Sequence, residues 1–274
     1  MVALDTRRLV KRLSRAADAA LPRHTGVTVL IYHRVGGGSD SQVDLPVDEF
    51  DRQMAHLAEH ATVVTLDDAV AFLAAGRPDE DHDGSRVVIT FDDGTDDFTD
   101  HAVPVLVKHS LPATLYAATS FIDTGTTFPW DAPPTSWTAL RDATATGLVT
   151  IGSHTHSHWL LDRLDPAAIA DDLDRSIELI GTHLGTAPAH FAYPKALPGS
   201  PQAEIAVRRR FTSAALAASR VNRPGRTDLH RLWRTPVQRA DGFEFFTAKA
   251  DGGLRLEGEL RALAARIKYR GAAT

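Results

Sequence analysis

The sequence predicts an α/β chain whose parallel sheet closes, or nearly closes, into a barrel. From residue 25 onward, short β-branched runs alternate with segments of helical periodicity. Most of those runs are apolar without alternation, which fits parallel strands covered on both faces. At 274 residues and 43% hydrophobic the chain can bury a large core, although length alone suits one barrel or two small domains equally.

Residues 1–24, MVALDTRRLVKRLSRAADAALPRH, form a basic amphipathic helical extension lacking the continuous apolar stretch of a secretory signal. The main domain is expected over 25–250. Its first strand is VTVLIY at 27–32, followed by a helix that places Phe50, Met54 and Leu57 on one face. TVVT at 62–65 precedes a helix carrying Leu66, Val70 and Leu73 and ending at Gly76. Further strands are RVVITF at 86–91, ATLYAA at 113–118 and LVTI at 148–151. The clearest helix has Asp165 as its cap and Pro166 in its first turn, then Ile169, Leu173, Ile177, Ile180 and Leu184 before Gly185. HFAY at 190–193, SAALAA at 213–218 and LWRTPV at 232–237 complete the strands. Residues 251–274 form a C-terminal amphipathic helix with Leu256, Leu260, Leu263 and Ile267 on one stripe. Loops are expected at 36–42, 77–85, 123–136 and 196–202.

The net charge of −5 argues against general nucleic-acid binding. No cysteine is present, so a metal could be held only by His, Asp or Glu. Nowhere do 18 apolar residues run together, so no membrane span is expected.

Residues 90–97, TFDDGTDD, set Asp92 and Asp93 side by side at the end of an apolar run. Two like charges there are costly unless something cationic binds, although a pair of aspartates before glycine also makes an ordinary turn. A second signal is IGSHTHSHWLL, with His154, His156 and His158 directly after a strand. On a helical turn His154 and His158 share a face, and on an extended segment all three do. With a carboxylate from another strand end, two imidazoles make a three-ligand site for zinc or a similar ion, leaving a position open for water. A solvated loop is the plainer reading of the histidines alone.

TFDDG, the GSHTHSH segment and FAYP at 191–194 together resemble the polysaccharide deacetylases with a NodB-like catalytic domain, carbohydrate esterase family 4. The resemblance extends to VLIYHRV, EFDRQMAHL and PVLVKHSLPATLYAATSFI and covers roughly residues 27–240. It implies a distorted (β/α) barrel of about seven strands and a metal-dependent hydrolase acting on amide bonds. Asp93, His154 and His158 would be the ligands of one divalent ion, Zn2+ first, with Co2+, Ni2+ or Mn2+ as alternatives. Asp92 would be the general base, Thr155 would brace the histidine loop, and the backbone N–H of Tyr193 would hold the developing oxyanion. The implied substrate is an N-acetylhexosamine-containing polysaccharide, oligosaccharide or lipid-linked precursor.

Two family features are missing. FAYPK lacks the arginine that pairs with the base in many members, and no late L-x-H supplies an acid, since only His190 and His230 lie beyond residue 183. His33, after the first strand, is the candidate acid, against a backbone-satisfied histidine; Arg234 is the candidate partner of Asp92, against a surface ion pair. Of Trp130, Trp137 and Trp159, the loop holding Trp130 is the better substrate rim, with Trp137 packing in a helix. Two other functions stay open: hydrolysis of a small cyclic amide or imide, and glycan binding without catalysis. Without an export signal, a cytoplasmic enzyme is expected, with a peripheral membrane contact through the basic terminal helices set against packing of the leucine stripe on the barrel.

Overall fold

The computed structural model describes residues 2–19, 25–76, 86–129 and 131–268. The expected loop at 77–85 and Trp130 lie outside the described residues. Helix α1 (Val2–Ala19) precedes strand β1 (Val27–Tyr32), and β2 (Arg34–Val35) pairs with β3 (Asp44–Leu45) in a small separate ribbon. Then follow α2 (Val47–His60), β4 (Thr62–Val63), α3 (Leu66–Ala75), β5 (Arg86–Phe91), α4 (Val103–His109), β6 (Ala113–Ala117), α5 (Thr119–Thr124), α6 (Trp137–Ala145) and β7 (Val149–Ser153). The chain continues through α7 (Pro166–Leu184), β8 (His190–Ala192), α8 (Pro201–Arg210), β9 (Ser213–Ala215), β10 (Arg234–Pro236), α9 (Gly242–Ala250) and α10 (Arg255–Lys268).

Seven parallel strands run in the order β10-β1-β5-β6-β7-β8-β9, with the short β4 attached to β5. The two ends of this sheet meet where Leu216 N–H donates to Leu232 O at 2.8 Å and Ala218 N–H to Arg234 O at 2.9 Å. The sheet is thus a nearly closed barrel, as expected. Every residue of β1 is buried, which is why its sequence shows no polar alternation. Leu30, Tyr32, Ile89 and Phe91 pack beneath Phe50 and Met54 of α2, while Val27, Val29 and Val88 belong to a second cluster with Leu66 and Leu73 of α3.

Several strands are shorter than their apolar runs. TVVT contributes only Thr62–Val63, because Thr65 already caps α3 by accepting from Asp68 N–H. SAALAA and LWRTPV shrink to β9 and β10, since Leu216–Ala218 continue across the closing seam through single hydrogen bonds. Helix α7 has the expected boundaries: Asp165 accepts from Ala167 and Ala168 N–H, and Gly185 ends it at φ 77°. The expected loop at 123–136 folds back on itself through a bridge between Phe128 and Ala132 and is tied to Thr95 by a bridge at Pro134.

Candidate metal centre

Strands β5, β6 and β7 end side by side, and the segments that leave β5 and β7 supply the candidate ligands. Asp92 leaves β5 with its N–H donated to Tyr32 O at 3.1 Å. Asp93 then turns at φ 73° and Gly94 at φ 99°, a tight reversal that throws the Asp93 carboxylate back over the barrel mouth. Across it, the GSHTHSH segment leaves β7. Gly152 is required there, because a Cβ would lie 2.7 Å from the Tyr116 ring and 2.9 Å from His190 O.

His154 is buried, and its Nδ1 lies 2.7 Å from Ala192 O. A carbonyl can only accept, so Nδ1 carries the proton and Nε2 presents a lone pair. That Nε2 stands 3.6 Å from Asp93 Oδ1 and 3.9 Å from Asp92 Oδ2. His158 Nε2 is 3.3 Å from the same Asp93 oxygen. One ligand atom each from Asp93, His154 and His158 falls within 4.8 Å of the others, a separation a single cation can span.

The loop between the two histidines is tightly held. Thr155 and His158 adopt φ 69° and 58°, and Thr155 Oγ1 accepts from His158 N–H at 2.8 Å, the bracing expected of that threonine. Asp172 of α7 accepts from His156 N–H at 3.0 Å and Ser157 N–H at 2.9 Å. His156 itself turns to Thr119 on α5, with Nδ1 3.0 Å from Oγ1, and stays out of the ligand cluster. Asp172 escaped the sequence reading because, on a helix rich in aspartate, nothing separates it from a solvated neighbour.

Arg234 is fully buried, not a surface group. Its guanidinium grips Asp92 with both Nη atoms, at 2.5 and 2.8 Å, while Nε donates to Leu216 O at 3.2 Å. The chain thus fills from β10 the cationic position that its third motif lacks. Burial by itself would raise the Asp92 carboxyl, but the charge and hydrogen bonds of Arg234 override it and hold the group below the usual range. Asp93 is likewise below its ordinary value, burial being outweighed by the hydrogen bond and charge of His158. Burial pushes His154 down to about 4, leaving a neutral ring at pH 7.

His33 lines the same cavity as Asp92, Asp93, His154 and His158, and its buried Nδ1 has no hydrogen-bond partner among the described residues. Tyr193 requires a correction. Its N–H is donated to Ala215 O at 3.1 Å in the sheet, so it is not free to meet an oxyanion. Lys195 and Ala196, both at positive φ, line the cavity just beyond it. His190 is engaged by Asp67 and Ser213, and His230 by Phe211 O, so neither late histidine serves the site. Trp137 packs on His183 at 4.5 Å, as expected of a helix residue, whereas Trp159 is exposed. Trp233, which the sequence offered only as part of a strand, lines the cavity.

The polysaccharide deacetylase family model matches residues 79–208. No curated protein matches the chain by sequence. Among solved structures, IcaB from Ammonifex degensii is 27% identical, with TM-score 0.71 over 84% of this chain and 98% of its own. The Streptococcus pyogenes deacetylase PplD, solved with acetate, is 19% identical with TM-score 0.70, over 82% of this chain and 98% of its own. A de-N-acetylase from Aggregatibacter actinomycetemcomitans, also 19% identical, gives 0.64 over 81% and 99%. The latter two show the fold alone. Residues 79–208 contain every candidate ligand together with Asp92, so the site lies within the segment that is similar to polysaccharide deacetylases.

Proposed function

We propose that the chain is a metal-dependent hydrolase that removes acetyl groups from N-acetylhexosamine units of a glycan. The observation that carries this reading is the convergence of Asp93, His154 and His158 beside an Asp92 carboxylate clamped by buried Arg234. The donor set suits a divalent ion such as Zn2+: two imidazoles, one with its lone pair fixed by Ala192 O, and one carboxylate already ionised. Bound there, such an ion supplies Lewis acidity to a carbonyl oxygen and lowers the pKa of water.

The chain's own groups do the rest. Asp92, kept ionised and oriented by Arg234, takes a proton from the attacking water. His33 faces the same cavity and delivers a proton to the departing nitrogen, replacing the absent late histidine. The turn at Lys195 and Ala196, in place of the Tyr193 amide, borders the developing oxyanion. The cavity measures about 360 Å³, large enough for a sugar unit, and Phe128, Leu197 and Trp233 give it apolar walls for a pyranose face.

Purified protein, stripped with a chelator and reloaded with Zn2+, Co2+, Ni2+ or Mn2+, should release acetate from N-acetylated oligosaccharides only after reloading. Ring opening of small cyclic imides without acetate release would replace the reading. Glycan binding with no turnover under any of the four metals would reduce the chain to a binding protein.

A further inference from the structure

The terminal helices α1 and α10 are docked with their polar sides inward. Lys11 is 1% exposed and Ser14 is fully buried, whereas Leu9 and Leu13 on the same helix are 56% and 57% exposed. On α10, Glu257 is buried while Leu256, Leu260 and Leu263 are 46%, 48% and 57% exposed. The packing expected of an amphipathic helix is therefore reversed.

A buried ion cluster explains the inversion. Lys11 of α1 and Lys249 of α9 both bind Asp241, Lys249 at 2.8 Å, and Glu257 of α10 lies 3.9 and 3.7 Å from the two ammonium groups. Ser14 Oγ accepts from Glu257 N–H, and Asp18 accepts from Leu254 N–H, so the two helices are tied to each other as well. Ion pairing thus fixes both helices with their leucines left in water. Five half-exposed leucines on two joined helices exceed the scattered apolar residues an ordinary surface carries.

Charge indicates what covers them. Residues 2–19 hold five Lys and Arg against two Asp, and residues 255–268 hold four against two Glu, on a chain whose net charge is −5. These helices therefore carry a surplus of five positive charges while the rest of the chain is strongly acidic. Among the described side chains of these two helices, the exposed large apolar residues are leucines, without the Tyr, Trp, Phe and Met that mark protein-binding surfaces. Leucines among Lys and Arg suit an anionic bilayer, whose acyl boundary takes the side chains and whose headgroups take the cations.

We propose that α1 and α10 together form a docking face for an anionic lipid surface. Helix α10 also walls the cavity: Gly258 and Arg261 line it, and a Cβ on Gly258 would lie 2.5 Å from Ser219 N, so the helix is pressed against the seam. A docked chain would present its cavity beside the membrane. That consequence for substrate rests on the deacetylase reading, but binding to lipid does not.

The test is co-sedimentation of the full chain with phosphatidylglycerol vesicles and with phosphatidylcholine vesicles, at low and high salt. The expected result is binding to the anionic vesicles that weakens with salt, at least tenfold weaker in Leu9→Ser/Leu13→Ser/Leu260→Ser/Leu263→Ser. Unchanged circular dichroism and acetate release from a soluble oligosaccharide would show that this variant is folded. Absence of binding by the parent chain, or equal binding by the folded variant, would overturn the proposal. So would light scattering showing a lipid-independent dimer that the leucine substitutions dissolve, which would assign the face to a second copy.

Discussion

Arg234 and Asp92 show at the residue scale why a buried ion pair is costly to break from one side. Arg234→Met should destabilise the fold by about 3–5 kcal/mol, because the Asp92 charge is left buried without its partner. Adding Asp92→Asn should recover much of that loss in urea denaturation, since the stranded charge is gone. No recovery would mean that Arg234 acts mainly through Leu216 O and the Tyr116 ring, which lies 5.0 Å below its guanidinium. His33 carries a separate expectation. His33→Ala should lower kcat by about 10²-fold or more while leaving KM for a short oligosaccharide nearly unchanged. Unaltered turnover would remove His33 from the chemistry.

At the scale of elements, α7 acts on the site without reaching it. Asp172 holds the His156 and Ser157 amides, and with Thr155 it fixes the loop that aims His158. Asp172→Ala should therefore weaken zinc affinity by about 10–100-fold in competition with a chelator, although Asp172 is not in the ligand cluster. The terminal helices carry a pH expectation. Burial alone would raise the Asp241 carboxyl, but Lys249 and then Lys11 hold it below the ordinary carboxylate value. A depressed carboxyl stabilises the fold above its unfolded value, about 3.9, and that contribution is lost as pH falls through the lower folded value. Glu257 and Pro236 O, which also face these ammonium groups, remain as partners when Asp241 is removed. Asp241→Asn should lower the thermal midpoint strongly at pH 7 and progressively less below pH 4. A constant deficit across that range would contradict the assignment.

For the molecule as a whole, the candidate ligands Asp93, His154 and His158 follow strand ends some sixty residues apart, so a bound metal would tie β5 to β7 across β6. Loading with Zn2+ at a hundredfold excess over its dissociation constant should stabilise the chain by about 2.7 kcal/mol. Asp93→Asn should abolish that shift in a thermal melt while leaving the fold in place. The barrel, the boundaries of α7 and the aspartate and histidine clusters were legible in the sequence. Each rests on local information: unbroken apolar runs, caps and turn residues, and chemistry-bearing groups within a few positions of one another. Arg234 was already a candidate partner of Asp92 in the sequence, but its burial, which rules out a surface ion pair, together with Asp172 as the loop anchor, the engaged Tyr193 amide and the outward-facing leucines, depended on pairings between distant segments. Periodicity records which face of a helix is apolar, but not whether that face or the opposite one meets the barrel. In α1 and α10 a buried charge cluster, assembled from three separate helices, decided the question against the apolar side.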